Sequence, residues 1–149
     1  MSVSVDVTVE TTIGRPVEIV SSYASDPSNA PEWYANIRAV EWKTEPGVVR
    51  EGAKAAFVAR FLGRTLEYTY ELVEVVPGAR LVMRTAQGPF PMETSYTWSG
   101  IGDGSTRMTL RNRGEPAGFS KLVAPLMAPA MRRANRKDLA ALKAILESR

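Results

Sequence analysis

Neither cysteine nor histidine occurs among the 149 residues, and together the two absences remove most familiar catalytic designs. Without cysteine there is no disulfide framework, no thiolate nucleophile and no thiolate zinc site, which fits a reducing, cytoplasmic setting. Without histidine there is no Ser-His or Cys-His pair, and the commonest transition-metal ligand is missing. Acid–base chemistry near neutral pH then falls to a tuned Asp, Glu, Lys or Tyr, or to an ordered water. Neither a metal nor a cofactor is implied. No apolar run approaches the roughly 18–20 residues that span a bilayer. The start Met1-Ser2-Val3-Ser4-Val5-Asp6 lacks the basic and apolar regions of a secretory signal.

What remains is ordinary globular material. Hydrophobic residues make up 44% and charged residues 23%, so the chain can bury a core and is not expected to be disordered. Its length suits one domain over residues 1–149. The net charge of +3 is unevenly placed: residues 118–149 carry +5 and the rest −2. The cluster Arg132-Arg133-Ala134-Asn135-Arg136-Lys137 reads first as the solvated face of an amphipathic helix. Contact with phosphates or an acidic surface is the alternative. No aromatic residues interleave with these charges, so nucleic acid is not an expected partner. The oligomeric state stays open, a homodimer included.

Periodicity sets the elements. Valines 3, 5, 7 and 9 alternate with polar residues, which predicts a half-buried strand over Val3 to Ile13. Arg15-Pro16-Val17-Glu18 reads as a helix start with proline at the first helical position. Asp26-Pro27-Ser28-Asn29 predicts a second short helix, capped by Asp26 and ending near Pro31. Strand patterns then follow over 37–44, 53–62, 65–76, 80–86, 92–99 and 106–113, separated by Glu45-Pro46-Gly47, Gly63-Arg64, Pro77-Gly78 and the glycine-rich Gly100–Gly104. The last turn lacks the lysine and helix of a phosphate loop and reads as a hairpin. Such short connections favour an antiparallel meander, wet on one face. The dry face needs a cover. The long segment from about Ala117 to Ser148 repeats apolar residues at helical spacing, with a kink or break expected at Pro125 and Pro129.

Strand, two short helices, six strands and one long helix is an order that resembles the SRPBCC superfamily, the START-like and pollen-allergen-like helix-grip proteins. More narrowly, the chain resembles bacterial polyketide cyclase/dehydrase-type members. The likeness rests on Pro16-Val17-Glu18, Ser25-Asp26-Pro27-Ser28-Asn29-Ala30-Pro31-Glu32-Trp33, Gly102–Leu110 and Asp138–Lys143. It implies an α+β helix-grip fold, in which a seven-stranded curved antiparallel sheet closes around the C-terminal helix. It also implies an apolar cavity between them, used in that superfamily for lipids, polyketides, hormones or aromatic molecules. The superfamily shares no catalytic motif.

The inward strand faces offer Phe57, Phe61, Tyr68, Tyr70, Met83, Thr94, Tyr96, Trp98 and Met108 to such a cavity, and the helix adds Leu122, Leu126, Met127 and Met131. Each alone reads as core filling; the set reads as a pocket. Three tyrosine hydroxyls on one dry face must find partners, and Thr94, Thr106 and Asn112 add polar atoms to it. A mostly apolar cavity with a few polar groups is the usual make-up of a small-molecule site. Trp33 and Trp42 are expected at its mouth, as anchors or as ligand contacts. Glu67 and Glu71 read as cross-strand ion-pairing groups rather than a catalytic pair. Arg84, if it faced inward, would bind a carboxylate or enolate. The loop Gly88-Pro89-Phe90-Pro91 reads as a connection, with a lid as the alternative.

Three functions follow as expectations. The first is binding of a small, largely apolar or aromatic molecule. The second is a polyketide cyclase/aromatase-type enzyme using Tyr68, Tyr70, Tyr96 and Arg84. The third is an interaction domain that presents the basic helix, expected if side chains fill the cavity.

Overall fold

The computed structural model describes residues 5–61, 63–87, 91–115 and 124–149, with the backbone alone at Phe61, Ala124 and Pro125. Alternation decides the strands. Val5, Val7 and Val9 are buried and Asp6, Thr8 and Glu10 exposed along β1 (Val5–Ile13). The same period runs through β6 (Met92–Ile101) and β7 (Ser105–Gly114), where residues 92, 94, 96 and 98 and residues 106, 108, 110 and 112 face inward. Between them in sequence lie β2 (Ile37–Trp42), β3 (Lys54–Phe61), β4 (Arg64–Val76) and β5 (Arg80–Gln87). All pairings are antiparallel, in the order β1-β7-β6-β5-β4-β3-β2. From β2 to β7 each strand lies beside its successor, as short turns require. The Gly63 turn between β3 and β4 has φ +77°, a conformation glycine adopts without steric cost. Gly114 answers a different need, because a Cβ there would lie 2.4 Å from the Pro91 carbonyl oxygen.

The chain crosses from β1, at one edge of the sheet, to β2, at the other, through helix α1 (Val17–Ser25), a 3-10 turn (Pro27–Asn29) and helix α2 (Ala30–Trp33). Asp26 caps the turn as expected, accepting from the Ser28 N–H at 2.9 Å. Two prolines act differently from expectation. Pro16 is the N-cap of α1 rather than its first residue. Pro31 sits in the first turn of α2 instead of ending a helix, a position where its missing N–H costs nothing.

Helix α3 (Ala124–Glu147) closes the concave side of the curled sheet, giving the helix-grip architecture. Its inward stripe is Met127, Met131, Asn135, Asp138, Leu139, Leu142 and Leu146, at intervals of three and four. The expected break is absent: α3 runs through Pro129, which forgoes the backbone bond to the carbonyl four residues earlier. At its far end, Lys143 Nζ donates to the Thr12 carbonyl at 2.7 Å, and the Gly14 N–H donates to Glu147 Oε2 at 2.7 Å. These bonds pin the helix to the end of β1. Among the described residues no helix is long and apolar enough to cross a membrane.

Candidate functional site

Sheet and helix do not meet everywhere. A cavity of about 150 Å³ separates them, measured as the space open to the centre of a water molecule. Phe57, Tyr68, Tyr70, Met83, Thr94 and Tyr96 line it from the strands, and Met127 and Met131 from α3. These eight are the expected site residues that the fold brings together. Leu66, Leu81, Met92 and Ala134 complete the apolar wall.

One wall is polar and continuous. Register places Thr94 on β6 directly opposite Asn112 on β7. The Thr94 hydroxyl donates to Asn112 Oδ1, and Asn112 Nδ2 donates to Asn135 Oδ1 at 3.0 Å. Asn135 and Asp138 lie three residues apart on one face of α3, and Asn135 helps to hold the Asp138 carboxyl below the value that burial alone would give. The Ala35 N–H also donates to Asp138 Oδ1, at 2.9 Å. Tyr70 lines the cavity beside Thr94. The two bonds from Thr94 through Asn112 to Asn135 run in one direction, from β6 across β7 to α3, an arrangement in which successive bonds polarise one another.

Burial works against that carboxylate. Asp138 is 1% exposed, and desolvation pushes its pKa up to about 6, opposed by the Ala35 N–H, Asn135 and the charge of Lys137. Burial also holds the phenols neutral. Tyr70 is pushed up to about 12, with Thr94 opposing, and Tyr34, Tyr68 and Tyr96 are raised as well. Tyr34 and Tyr96 share one hydrogen bond between their hydroxyls at 2.5 Å. Two phenols hold two protons and that bond uses one, so the pair keeps a donor for a further acceptor. The wall at neutral pH therefore offers several donors and one group poised to exchange a proton.

Other expected residues lie elsewhere. Arg84 points outward, where Glu93 holds it at 2.6 Å and also binds Arg113 at 2.8 Å. It is not available to a ligand in the cavity. Glu67 and Glu71 form no ion pair with a described residue; Glu71 faces Lys54 and Arg84 in register, but Arg84 is taken by Glu93. Leu126 is 60% exposed, on the outer side of α3. Trp98 and Met108 are buried core side chains that do not line the cavity. Thr106 spends its hydroxyl on the Arg15 carbonyl. Trp42 fastens the 3-10 turn to β2 through Nε1 and Ser28 Oγ, at 2.8 Å. Trp33 is buried against Tyr34, with ring centroids 4.1 Å apart, and stands behind the cavity rather than at its mouth. Leu122, the Phe61 side chain and most of the Gly88–Pro91 loop lie outside the described residues.

Three residues of the polar wall escape sequence reasoning: Tyr34, Asn135 and Asp138. The available signal was the Asn135/Asp138 pair interrupting the apolar stripe of α3. Polar residues three apart on a helix's buried face need each other or a ligand.

A curled sheet gripping a long helix, with a lined cavity between them, is the helix-grip class of fold. Residues 4–147 match the model of the family described as polyketide cyclase / dehydrase and lipid transport, and the chain belongs to that family. Three solved structures show how widely the fold is shared. A START superfamily protein from Mycobacterium smegmatis superposes with a TM-score of 0.80 at 15% identity, covering 96% of this chain and 97% of that one. The Zhui aromatase/cyclase from Streptomyces sp. R1128 gives 0.80 at 14% identity, covering 97% and 94%. The major latex-like protein 151 from Panax ginseng gives 0.72 at 12%, covering 95% and 97%. At these identities the likeness is one of fold. No curated protein sequence matches the chain.

Proposed function

We propose that the protein binds a small, largely apolar molecule, of aromatic, polyketide or lipid type, in the cavity between the sheet and α3. The observation that carries this reading is an apolar cavity with one hydrogen-bonding wall, the usual composition of a small-molecule site. Its volume sets a scale, since a dry cavity of about 150 Å³ takes up a benzene-sized molecule. The enclosed part therefore suits one ring or a short alkyl segment. An interaction domain acting through its basic helix would have no use for this space. Native mass spectrometry of the purified protein, followed by denaturing extraction, tests the reading. A bound species that is lost in Ala134→Trp, which fills the cavity, is the expected result. If the wild type carries nothing and takes up no small aromatic probe, the reading fails.

Asp138 favours a second reading, a cyclase or aromatase. With a pKa near 6 it exchanges protons at working pH, as a general base must. The neutral phenols of Tyr34, Tyr70 and Tyr96 would hold a developing enolate oxygen. Under this reading Asp138→Asn abolishes turnover of a poly-carbonyl substrate and leaves its binding largely intact. Under the carrier reading Tyr70→Phe costs only a modest part of the affinity.

A further inference from the structure

Beside the cavity lies a groove of about 400 Å³ between α2 and α3. The two spaces share a wall, because Tyr34 and Ile37 line both. On the groove side that wall continues with Trp33 and Ala141, and two cations, Arg38 and Lys137, complete it.

Two observations point to a ligand. A register shift in β2 between Ile37 and Ala39 breaks the alternation at Arg38, so Ile37 and Arg38, neighbours in sequence, both reach the groove. Arg38 and Lys137, like several other surface cations, form no ion pair or hydrogen bond among the described residues, but these two face one apolar lining, and the charge of Lys137 also acts on Asp138. Glu32 is the one acid in the lining, and its carboxylate already accepts from the Tyr23 hydroxyl and faces Arg149 at 4.0 Å. The groove is thus positive and partly apolar, and it is contiguous with an apolar cavity whose own wall carries the Asp138 carboxylate.

We propose that the groove is a second subsite, which takes the carboxylate of an amphipathic ligand whose apolar body occupies the cavity. The ligand class is then an aryl- or alkyl-substituted acid rather than a neutral hydrocarbon or alcohol. This inference rests on the cavity reading above and adds a charge requirement to it. Asp138 makes the requirement specific to the groove, since a buried carboxylate inside the cavity repels a second one. The phenol donors of the cavity serve acid and alcohol alike, so a preference for acids that disappears when Arg38 and Lys137 are neutralised is assigned to the groove.

The test is calorimetric titration with ω-phenylalkanoates of four, six and eight carbons against the primary alcohols of the same lengths, at pH 8. At one or more chain lengths the acid is expected to bind about tenfold tighter than its alcohol, the scale of one hydrogen-bonded charge contact. Arg38→Gln with Lys137→Gln is expected to erase that ratio while the alcohol binds as before, which also reports that the variant is folded. Added salt is expected to narrow the ratio. If alcohols bind and acids bind no tighter, or if the acid preference survives in the double variant, the groove inference is overturned and cavity binding stands. If neither series binds, the cavity reading itself has failed, and the groove inference with it.

Discussion

Replacing Asp138 by asparagine should make the protein's stability less sensitive to pH, in a direction opposite to most carboxylate substitutions. Burial raises the pKa of Asp138 from the ordinary 3.8 to about 6. Between those values the native protein keeps a proton that the unfolded chain has lost. Stability therefore falls as pH rises through this window and is lowest above it. Integrated over a shift of that size, the buried charge costs about 3 kcal/mol at pH 8 relative to pH 3. Of this, about 1.4 kcal/mol is lost between pH 5 and pH 8. Asparagine keeps an acceptor for the Ala35 N–H and carries no charge at any pH. Urea unfolding of both proteins at pH 5 and pH 8 isolates the effect, because subtraction removes groups common to the two. Asp6 is one of these; its bond to Arg111 holds it below the usual range, so its contribution is lost at low pH. The stability difference should shift by about 1.4 kcal/mol toward the asparagine variant as pH rises from 5 to 8. A constant difference, or a shift the other way, would mean that Ala35, Asn135 and Lys137 outweigh desolvation, and the account of the polar wall would be wrong.

Other perturbations probe the same geometry. Arg84→Ala should leave ligand binding unchanged and alter stability by less than about 1 kcal/mol, since it breaks an exposed pair on the outer face; titration and urea unfolding of one sample check both. Asn112→Ala strands the Thr94 hydroxyl and the Asn135 carbonyl and should cost about 1–3 kcal/mol. Adding Thr94→Val should recover part of that loss in the same unfolding assay. An apolar ligand that seals the cavity should desolvate Asp138 further, so binding near pH 6 should take up protons. Calorimetry in two buffers of different ionisation enthalpy measures the uptake, and a buffer-independent heat would contradict it.

The fold was legible because each strand carries its own instruction. Alternation in β1, β6 and β7 leaves no freedom in which face is buried, and glycine or proline marks the turns. Tyr68, Tyr70, Thr94 and Tyr96 were legible for the same reason. Arg84 was not, because Leu81, Val82 and Met83 on β5 are all buried and hide the period. Its direction follows from the pairing of β5 with β6, which places Glu93 opposite. Leu126 fails for a different reason. It fits a helical apolar pattern, but only the assembled fold shows which side of α3 faces away from the sheet. Tyr34 and Ala35 meet Asp138 across about a hundred residues of sequence. No local pattern encodes a contact of that range, and it is the contact that makes the wall polar.

The same wall constrains which chemistry the cavity can host. In a chain without histidine, an ordinary carboxylate would be fully ionised at neutral pH and a phenol fully protonated, leaving nothing to exchange a proton there. Burial changes only the first of these usefully. It lifts Asp138 toward neutrality and drives the tyrosines further from it. The cavity therefore divides labour between one proton acceptor on α3 and fixed donors on the strands and at Tyr34. A carrier gains from such an arrangement only the orientation of a ligand's polar atoms. An enzyme gains a base and an oxyanion site in one cavity, with the Ala35 N–H bond holding Asp138 in place beside the bonded Asn112 and Asn135. The polar wall is thus compatible with both, and the size of the enclosed space separates them. At about 150 Å³ the cavity encloses one ring. A substrate with more rings needs space beyond it, and the groove that shares Tyr34 and Ile37 with the cavity lies next to it.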